Sequence, residues 1–255
     1  MHACWRLLCS IAVGFGFLWV GMGNGDVIRR SNSTREVRQF GGAAGFTIRA
    51  GSGALWIPDD GSNEVVRIDP KRVRPAARIR VPGRAWGVAA GQRNVIVVSV
   101  PTAGPVTGPD GVRLLHRLDP NTNTLSAPLV RVRCDVGVAV ATDAVWTLDS
   151  CNGGLSRRDS RTLRPRAERT VRAPCQTPKL GFGSVWLASR GGVLRIDPTT
   201  LRVVAMIPAR SLTLAIGAGF VWALDEPHST IRKIDPRTNR VVAGPWLVAT
   251  NPSRS

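Results

Sequence analysis

A unit of about forty residues recurs along this 255-residue chain. One marker of the unit is a tryptophan after a short apolar stretch, and successive copies lie 36 to 50 residues apart. A second marker is a basic residue two positions before an Asp-Pro-like turn. The first markers are Trp19, Trp56, Ile96, Trp146, Trp186 and Trp222, and the second are Arg29, Arg67, Arg117, Arg157, Arg195 and Lys233. Two markers that share one period predict six copies of one structural unit.

Each unit reads as four short β-strands, because its apolar residues alternate with polar ones and are rich in β-branched types. Asp-Pro pairs, as at 69–70 and 197–198, fit β-turns in which the Asp accepts a backbone hydrogen bond and the Pro presets φ. Six four-stranded antiparallel units predict an all-β, six-bladed β-propeller that closes as a ring in one domain over 1–255. The predicted blades span about 7–43, 44–83, 84–132, 133–174, 175–211 and 212–250.

The apolar residues 7–22 have two interpretations. They resemble the core of a secretory signal peptide and are too short for a comfortable membrane span, so no membrane-spanning segment is predicted. However, the nine residues 11–19 return as 214–222 with five identities. We therefore predict that this segment is folded as part of the first blade, and the signal peptide stays the alternative.

The chain carries a net charge of +18 with 43% hydrophobic residues. That hydrophobic content is too high for a disordered chain. The charge favours polyanionic partners, and sequence-independent nucleic-acid binding is an alternative, although the chain has no basic helix or aromatic-rich RNA motif. The basic second markers are expected to stack on the tryptophans rather than to contact a ligand.

Several short motifs resemble a known family. They are Leu55-Trp56, Val145-Trp146, Val185-Trp186, Val221-Trp222 and the Arg-Ile-Asp-Pro runs at 67–70 and 195–198. These units resemble YVTN-type propeller repeats and the wider virginiamycin B lyase-like and NHL-like group. The resemblance covers nearly the whole chain and implies a propeller exported to the periplasm or the medium. The lyase's Trp-Phe-Thr-Glu repeat is replaced here, for example by the residues at 56–59, and this departure weakens an inferred lyase activity.

Three aspartates occupy one repeat position. Asp59, Asp149 and Asp225 each lie three residues after a first marker, in the second, fourth and sixth units. Even spacing around a ring would place them at the channel mouth as a binding site, and with carbonyls and water they could hold Ca²⁺ or Mg²⁺. The other interpretation is that each aspartate caps its own loop. No cofactor is predicted from the sequence.

His228 is the one histidine expected in a loop of that face. Glu226 could orient it as a general base, which is the His and Glu chemistry of the lyase family. These two residues are weak catalytic candidates, because such a separation in a loop is commonplace. A metal-assisted lyase or lactonase using His228 with the three aspartates is therefore the alternative to a binding function.

Three of the five cysteines, Cys134, Cys151 and Cys175, fall within 42 residues and lack metal-ligand spacing. In an oxidising compartment Cys151 could pair with either of the other two, and free buried thiols are the alternative. The function that the sequence favours is a non-enzymatic binding or scaffold propeller. It would act as a monomer and recognise a protein, peptide or polyanion at the channel mouth, beside a loop at 101–110.

Overall fold

The chain is all β. Its computed structural model describes residues 8–22, 26–30, 35–39, 47–59, 61–102, 111–133, 136–149, 151–171, 177–189, 191–225 and 228–247. These residues form six four-stranded antiparallel sheets, and each sheet follows chain order from its first strand to its fourth. The predicted six-bladed β-propeller fold is confirmed. None of these residues belongs to a helix that is long and apolar enough to cross a membrane.

The first three blades each contain a meander of four strands. Blade 1 contains β1 (Leu8–Gly14), β2 (Phe17–Met22), β3 (Asp26–Arg30) and β4 (Arg35–Gln39). Blade 2 contains β5 (Arg49–Gly51), β6 (Ala54–Asp59), β7 (Glu64–Asp69) and β8 (Arg74–Arg80). Blade 3 contains β9 (Arg84–Ala90), β10 (Val95–Val100), β11 (Val112–Asp119) and β12 (Thr124–Arg133).

The last three blades repeat the same pattern. Blade 4 contains β13 (Val136–Val140), β14 (Ala144–Asp149), β15 (Gly154–Asp159) and β16 (Pro165–Thr170). Blade 5 contains β17 (Lys179–Gly181), β18 (Ser184–Ser189), β19 (Gly192–Ile196) and β20 (Val203–Ile207). Blade 6 contains β21 (Thr213–Gly217), β22 (Phe220–Asp225), β23 (Thr230–Asp235) and β24 (Arg240–Leu247). The segment with two interpretations, residues 8–22, therefore forms the first two strands of blade 1.

The chain divides into two compact units. Unit 1 is Met1–Cys134, Val140–Ala144 and Asp159–Arg164, so it holds blades 1 to 3. Unit 2 is Asp135–Ala139, Val145–Arg158 and Pro165–Ser255, so it holds most of blade 4 with blades 5 and 6. The prediction of one domain over 1–255 stays a prediction.

The core lies between neighbouring blades inside each unit. In unit 1, Trp19 packs against Ile48 and Leu55 of blade 2, and Trp56 packs against Val88 and the other apolar residues of blade 3. In unit 2, Trp186 packs against Leu214 and the apolar residues of blade 6. Trp19, Trp56 and Trp186 are fully buried. Each repeat tryptophan of this kind thus fills the interface with the following blade.

The Gly-x-Gly turns serve two purposes in these interfaces. The indole N–H of each repeat tryptophan donates to a glycine carbonyl five residues earlier, as from Trp56 to Gly51 at 2.9 Å. The same bond occurs in blades 1, 5 and 6. A Cβ on Gly51 would lie 2.6 Å from the Gly91 oxygen, so the missing side chain lets the next blade approach. In blade 4 the turn holds Ala141, and the Trp146 indole N–H has no hydrogen-bond partner in the described chain.

The Asp-Pro turns are held by their own aspartates. Asp197 Oδ1 accepts the backbone N–H groups of Thr199 and Thr200 at 3.0 and 2.7 Å. Asp69 accepts two backbone N–H groups in the same way. Chiefly because of the Thr200 N–H, the pKa of Asp197 lies below its ordinary value. These aspartates are therefore turn residues, as the sequence predicted.

Some of the basic second markers connect neighbouring blades. Arg195 donates to the Pro236 carbonyl at 2.7 Å and to Asn239 Oδ1 at 2.9 Å, both in the Asp-Pro turn of the following blade. Arg67 reaches Asn123 Oδ1 in the same manner at 2.9 Å. The predicted stacking on tryptophan is confirmed, with the Arg195 guanidinium 5.3 Å from the Trp186 ring centroid and equivalent pairs in blades 2, 4 and 6.

Candidate functional site

Two of the three predicted site aspartates are used within their own loops. Asp59, at the end of β6, accepts the backbone N–H groups of Gly61 and Ser62 at 3.2 and 3.4 Å. Asp149, at the end of β14, accepts those of Cys151 and Asn152 at 2.8 and 3.4 Å. Asp59 is also 3.8 Å from the Arg78 guanidinium. Both aspartates therefore cap the turn that follows the second strand, as in the loop-cap interpretation.

Asp225, at the end of β22, has different surroundings. Its Oδ2 lies 2.9 Å from His228 Nδ1 and 3.7 Å from an Arg232 nitrogen. Its Oδ1 is buried and has no hydrogen-bond partner within the described chain, as is also true of Thr230 Oγ1. The imidazole of His228 is 59% exposed. Asp225 is thus a described carboxylate that contacts His228. Glu226, the predicted partner of His228, lies outside the described residues, so its role stays a prediction.

No group of three or more His, Cys, Asp or Glu side chains in the described ranges is placed to hold a metal ion. Binding of a partner or an ion at Asp59, Asp149 and Asp225 stays a prediction. Cys151 is disulfide-bonded. Cys134 and Cys175 lie outside the described residues, as does most of the predicted 101–110 loop, so the pairing stays a prediction as well.

Two tryptophans outside the repeat register are exposed. Trp86, in the first strand of blade 3, is 39% exposed, and Trp246, in the last strand of blade 6, is 45% exposed. Repeat-register tryptophans such as Trp56 and Trp186 are fully buried. A residue that departs from the repeat does not serve the packing that the repeat provides, so these two positions are candidates for recognition.

A β-bulge directs Trp86 outward. Val98 of β10 pairs with Gly87, whereas the next residue, Ser99, pairs with Ala85, so Trp86 is the extra residue of β9. A bulge of this kind leaves one residue unpaired and turns its side chain away from the regular alternation. Ala85 and Val88 on either side still point into the core between blades 2 and 3. Strand β9 therefore keeps its apolar contacts in the core while the Trp86 indole is exposed.

Two arginines flank the Trp86 indole. The guanidinium carbon of Arg84 lies 5.2 Å from the ring centroid, and that of Arg113 lies 5.6 Å from it. Arg84 is exposed, whereas Arg113 is only 6% exposed. Arg84 pairs in the ladder with Val100, the last residue of β10, so the group lies at the end of blade 3 where the second strand finishes. This is the end of the blade that the sequence assigned to the channel mouth.

We call Arg84, Trp86 and Arg113 the indole–arginine cluster. The sequence interpretation missed it, because aligning the repeat tryptophans leaves Trp86 without a counterpart. A signal for it was present: Trp86 lies 30 residues after Trp56, inside the third unit, whose own marker is Ile96. A tryptophan out of register and next to an arginine can be recognised from the sequence as a departure from the repeat.

Comparison with known proteins supports the fold and no more specific relationship. No protein-family model matches the chain, and no curated protein matches it. The fold is similar to that of BamB from Moraxella catarrhalis, with 16% identity over 93% of this chain and 76% of that one, and a TM-score of 0.60. It is also similar to the Pan2 WD40 domain of Neurospora crassa, with 9% identity over 94% and 80% and a TM-score of 0.64.

A chain in the crystal structure of a mitotic checkpoint complex is similar as well, with 10% identity over 98% of this chain and 79% of that one, and a TM-score of 0.73. At such identities the likeness establishes the propeller fold alone. Membership of the YVTN-type or virginiamycin B lyase-like families stays a prediction.

Proposed function

We propose that this protein is a non-enzymatic interaction propeller that binds an acidic protein or peptide through the indole–arginine cluster of blade 3. The observation that carries the proposal is the exposed Trp86, held outward by a bulge between two arginines. Tryptophan and arginine are the residue types most enriched among binding hot spots. Some structural neighbours, such as the mitotic checkpoint chain, are components of protein complexes, which fits a scaffold function.

Charge indicates the kind of partner. The chain carries +18, and no carboxylate in the described chain pairs with the Arg84 side chain. An exposed aromatic ring beside an exposed guanidinium group fits an extended acidic peptide, whose backbone covers the indole while a carboxylate pairs with Arg84. Such a partner needs no catalytic group.

Poly-glutamate tests this proposal. We expect a fluorescein-labelled poly-glutamate peptide to bind saturably by fluorescence anisotropy, and we expect Trp86→Ala to weaken binding by about tenfold, the loss of a moderate hot spot. Arg84→Ala should weaken it and reduce its salt dependence. Phe182→Ala is the matched control, because Phe182 is 40% exposed in blade 5, far from the cluster in sequence.

Three outcomes would contradict the proposal. The first is no saturable binding, and the second is an equal loss with Phe182→Ala. The third is equal binding of single-stranded DNA by the wild type and by Trp86→Ala, which would favour the nucleic-acid alternative. Turnover of a lactone by the wild type that disappears in His228→Ala would favour the enzyme, for which the Asp225–His228 hydrogen bond is the supporting observation.

We also propose an extracytoplasmic location. The supporting observation is the disulfide at Cys151, because disulfides persist mainly in oxidising compartments.

A further inference from the structure

The fourth strand of blade 5 lacks the residues that usually protect a sheet edge. Strand β20 (Val203–Ile207) is the last strand of its sheet, and no further strand of the described chain pairs with it. Its sequence is Val-Val-Ala-Met-Ile, without a charged residue or a proline. Each of the other described fourth strands contains at least one arginine. Charges and prolines keep other chains from pairing with an edge strand, so β20 is open to an added strand.

The side chains of β20 are apolar and largely exposed. Val203, Val204 and Met206 are 44%, 57% and 67% exposed. Ile207 at the end of the strand is buried among the core residues of blades 5 and 6. Both of these blades belong to unit 2, so the strand and the residues that hold it lie within one compact unit. We call the side of Val203–Ile207 that faces away from β19 the β20 edge.

Two exposed arginines flank this apolar strand. Arg202 directly precedes it, and Arg210 follows its last residue by three positions. Both side chains are exposed, and no carboxylate in the described ranges pairs with either guanidinium group. A strand added at the β20 edge would therefore meet an apolar stretch of about 17 Å, at 3.3–3.4 Å per residue, with a positive charge near each end.

Charge complementarity identifies the occupant. Two β20 strands from two copies of the chain, paired edge to edge, would bring the arginines of one strand close to those of the other. Like charges opposite each other destabilise paired strands, and each copy also carries +18. The complementary occupant is an extended segment that is apolar in its middle and has a carboxylate near each end, because carboxylates pair strongly with guanidinium groups.

We propose that the β20 edge binds such an extended segment of a partner protein as a fifth strand of blade 5. Backbone hydrogen bonds to β20 hold the segment, as in other cases of strand addition. Its apolar side chains pack on Val204 and Met206, and its terminal carboxylates pair with Arg202 and Arg210. The indole–arginine cluster belongs to blade 3, so this second surface does not rest on the proposed function.

A labelled peptide tests the proposal. The probe is fluorescein-labelled Glu-Val-Thr-Val-Thr-Val-Glu, and we expect it to bind saturably by fluorescence anisotropy. In its presence the amide hydrogens of 203–207 should exchange more slowly. The same peptide with every backbone nitrogen methylated keeps its side chains but donates no backbone hydrogen bond, so it should bind at least about tenfold more weakly.

Substitutions locate the binding surface. Met206→Lys should weaken binding by at least about tenfold, because it places a charge on the apolar edge. Val242→Lys is the matched control, since Val242 is 49% exposed in the fourth strand of blade 6. Trp86→Ala should leave binding of this peptide unchanged. Near-ultraviolet circular dichroism checks that the variants are folded, and Val204→Lys replaces Met206→Lys if that variant is not.

Charge reversal tests the chemistry of the occupant. The double variant with Arg202→Glu and Arg210→Glu should lose the glutamate-ended peptide and bind the same peptide with lysine at both ends. The wild type should show the opposite preference. A double variant that does not change its preference would refute the acidic ends of the occupant.

Other results would overturn strand addition itself. They are no saturable binding by the wild type, equal binding of the methylated peptide, and an equal loss with Val242→Lys. A loss with Trp86→Ala would mean that the peptide occupies the indole–arginine cluster instead. Resistance of Met206 to oxidation by hydrogen peroxide in the free protein would show that the chain itself covers the β20 edge, and the proposal would then be wrong.

Discussion

At the scale of single residues, a buried histidine couples the fold to pH. His116 is 4% exposed, and its Nε2 lies 2.7 Å from Ser99 Oγ. The Ser99 hydroxyl donates its one proton to the Pro82 carbonyl at 2.7 Å, so His116 Nε2 must be the donor to Ser99. Burial lowers the pKa of His116 from 6.5 to about 4, so the histidine is neutral at pH 7.

The lowered pKa of His116 predicts a loss of stability in mild acid. The unfolded chain takes up a proton near pH 6.5, whereas the folded chain takes it up only near pH 4. The stabilisation is complete above pH 6.5 and falls by up to about 3 kcal/mol as the pH drops from 6.5 to 4. Urea unfolding at pH 7 and pH 5 measures it.

The matched variants are His116→Gln, which keeps a donor for Ser99 but does not titrate, and His228→Gln at an exposed histidine. We expect the first to flatten the pH dependence between 7 and 5 and the second to leave it unchanged. An unchanged slope in His116→Gln would show that other groups dominate this range.

At the scale of the strand, close approach between blades depends on glycine. Gly51 ends β5 and lies against the Gly91 oxygen and Ala90 of blade 3. Gly217 ends β21 in the same ladder position with nothing within 4 Å. The two residues share sequence context and hydrogen bonding, since each carbonyl accepts its repeat tryptophan. They differ in what lies within 4 Å of the position that a Cβ would take.

The surroundings of Gly51 and Gly217 predict different effects of a glycine-to-alanine substitution on the stability of the protein. Gly51→Ala should destabilise the protein by about 1–3 kcal/mol, the usual range for overpacking, because the obstacle is backbone that cannot rotate away. Gly217→Ala should be neutral or slightly stabilising, because neither position has a positive φ and alanine lowers the entropy of the unfolded chain. Equal denaturation midpoints for the two variants would show that the blade 2–3 contact is looser than described.

At the scale of the whole molecule, positive charge opposes compactness. Exposed arginines lie on fourth strands, as Arg78 and Arg80 do on β8 and Arg131 does on β12. Such charges protect sheet edges from pairing with other chains. Arg78 meets Glu64 at 3.5 Å, but the total of +18 leaves most of the positive charges unbalanced. Self-repulsion of this size lowers stability when salt is scarce.

Salt should therefore stabilise the fold. We expect the melting temperature of the wild type to rise by about 2–4 °C between low salt and physiological ionic strength, which corresponds to about 1 kcal/mol for a chain of this size. Differential scanning calorimetry measures it, with sucrose as the uncharged control. A melting temperature that does not change with salt would mean that the surface charges are already compensated.

The fold was predictable because its residues repeat. Trp19 pairs with Ala12 as Trp222 pairs with Ala215, which is the equivalence that the 11–19 and 214–222 identity indicated. The Gly-x-Gly and Asp-Pro turns recur from unit to unit. A strand that is hard to recognise in one unit can therefore be placed by comparison with the others. The stacking of the basic residues on tryptophan was predictable for the same reason.

The candidate site was less predictable, because it departs from the repeat. The Trp86 bulge depends on a pairing shift between β9 and β10 that strand propensity does not encode. The contact of His228 with Asp225 is not indicated by any periodic pattern of the sequence. The partial exposure of Trp222 is likewise not indicated by the sequence, because its motif reads as that of Trp186 does.

The bulge at Trp86 has an implication for engineering. Because one inserted residue displays an indole while Ala85 and Val88 keep their places in the core, the insertion is self-contained. In each of the other five blades the first strand pairs with the second as β9 pairs with β10. A bulge of the same kind could therefore be introduced there to expose a chosen side chain. A tandem scaffold of this type can thus acquire new specificities one amino acid at a time without redesign of its framework.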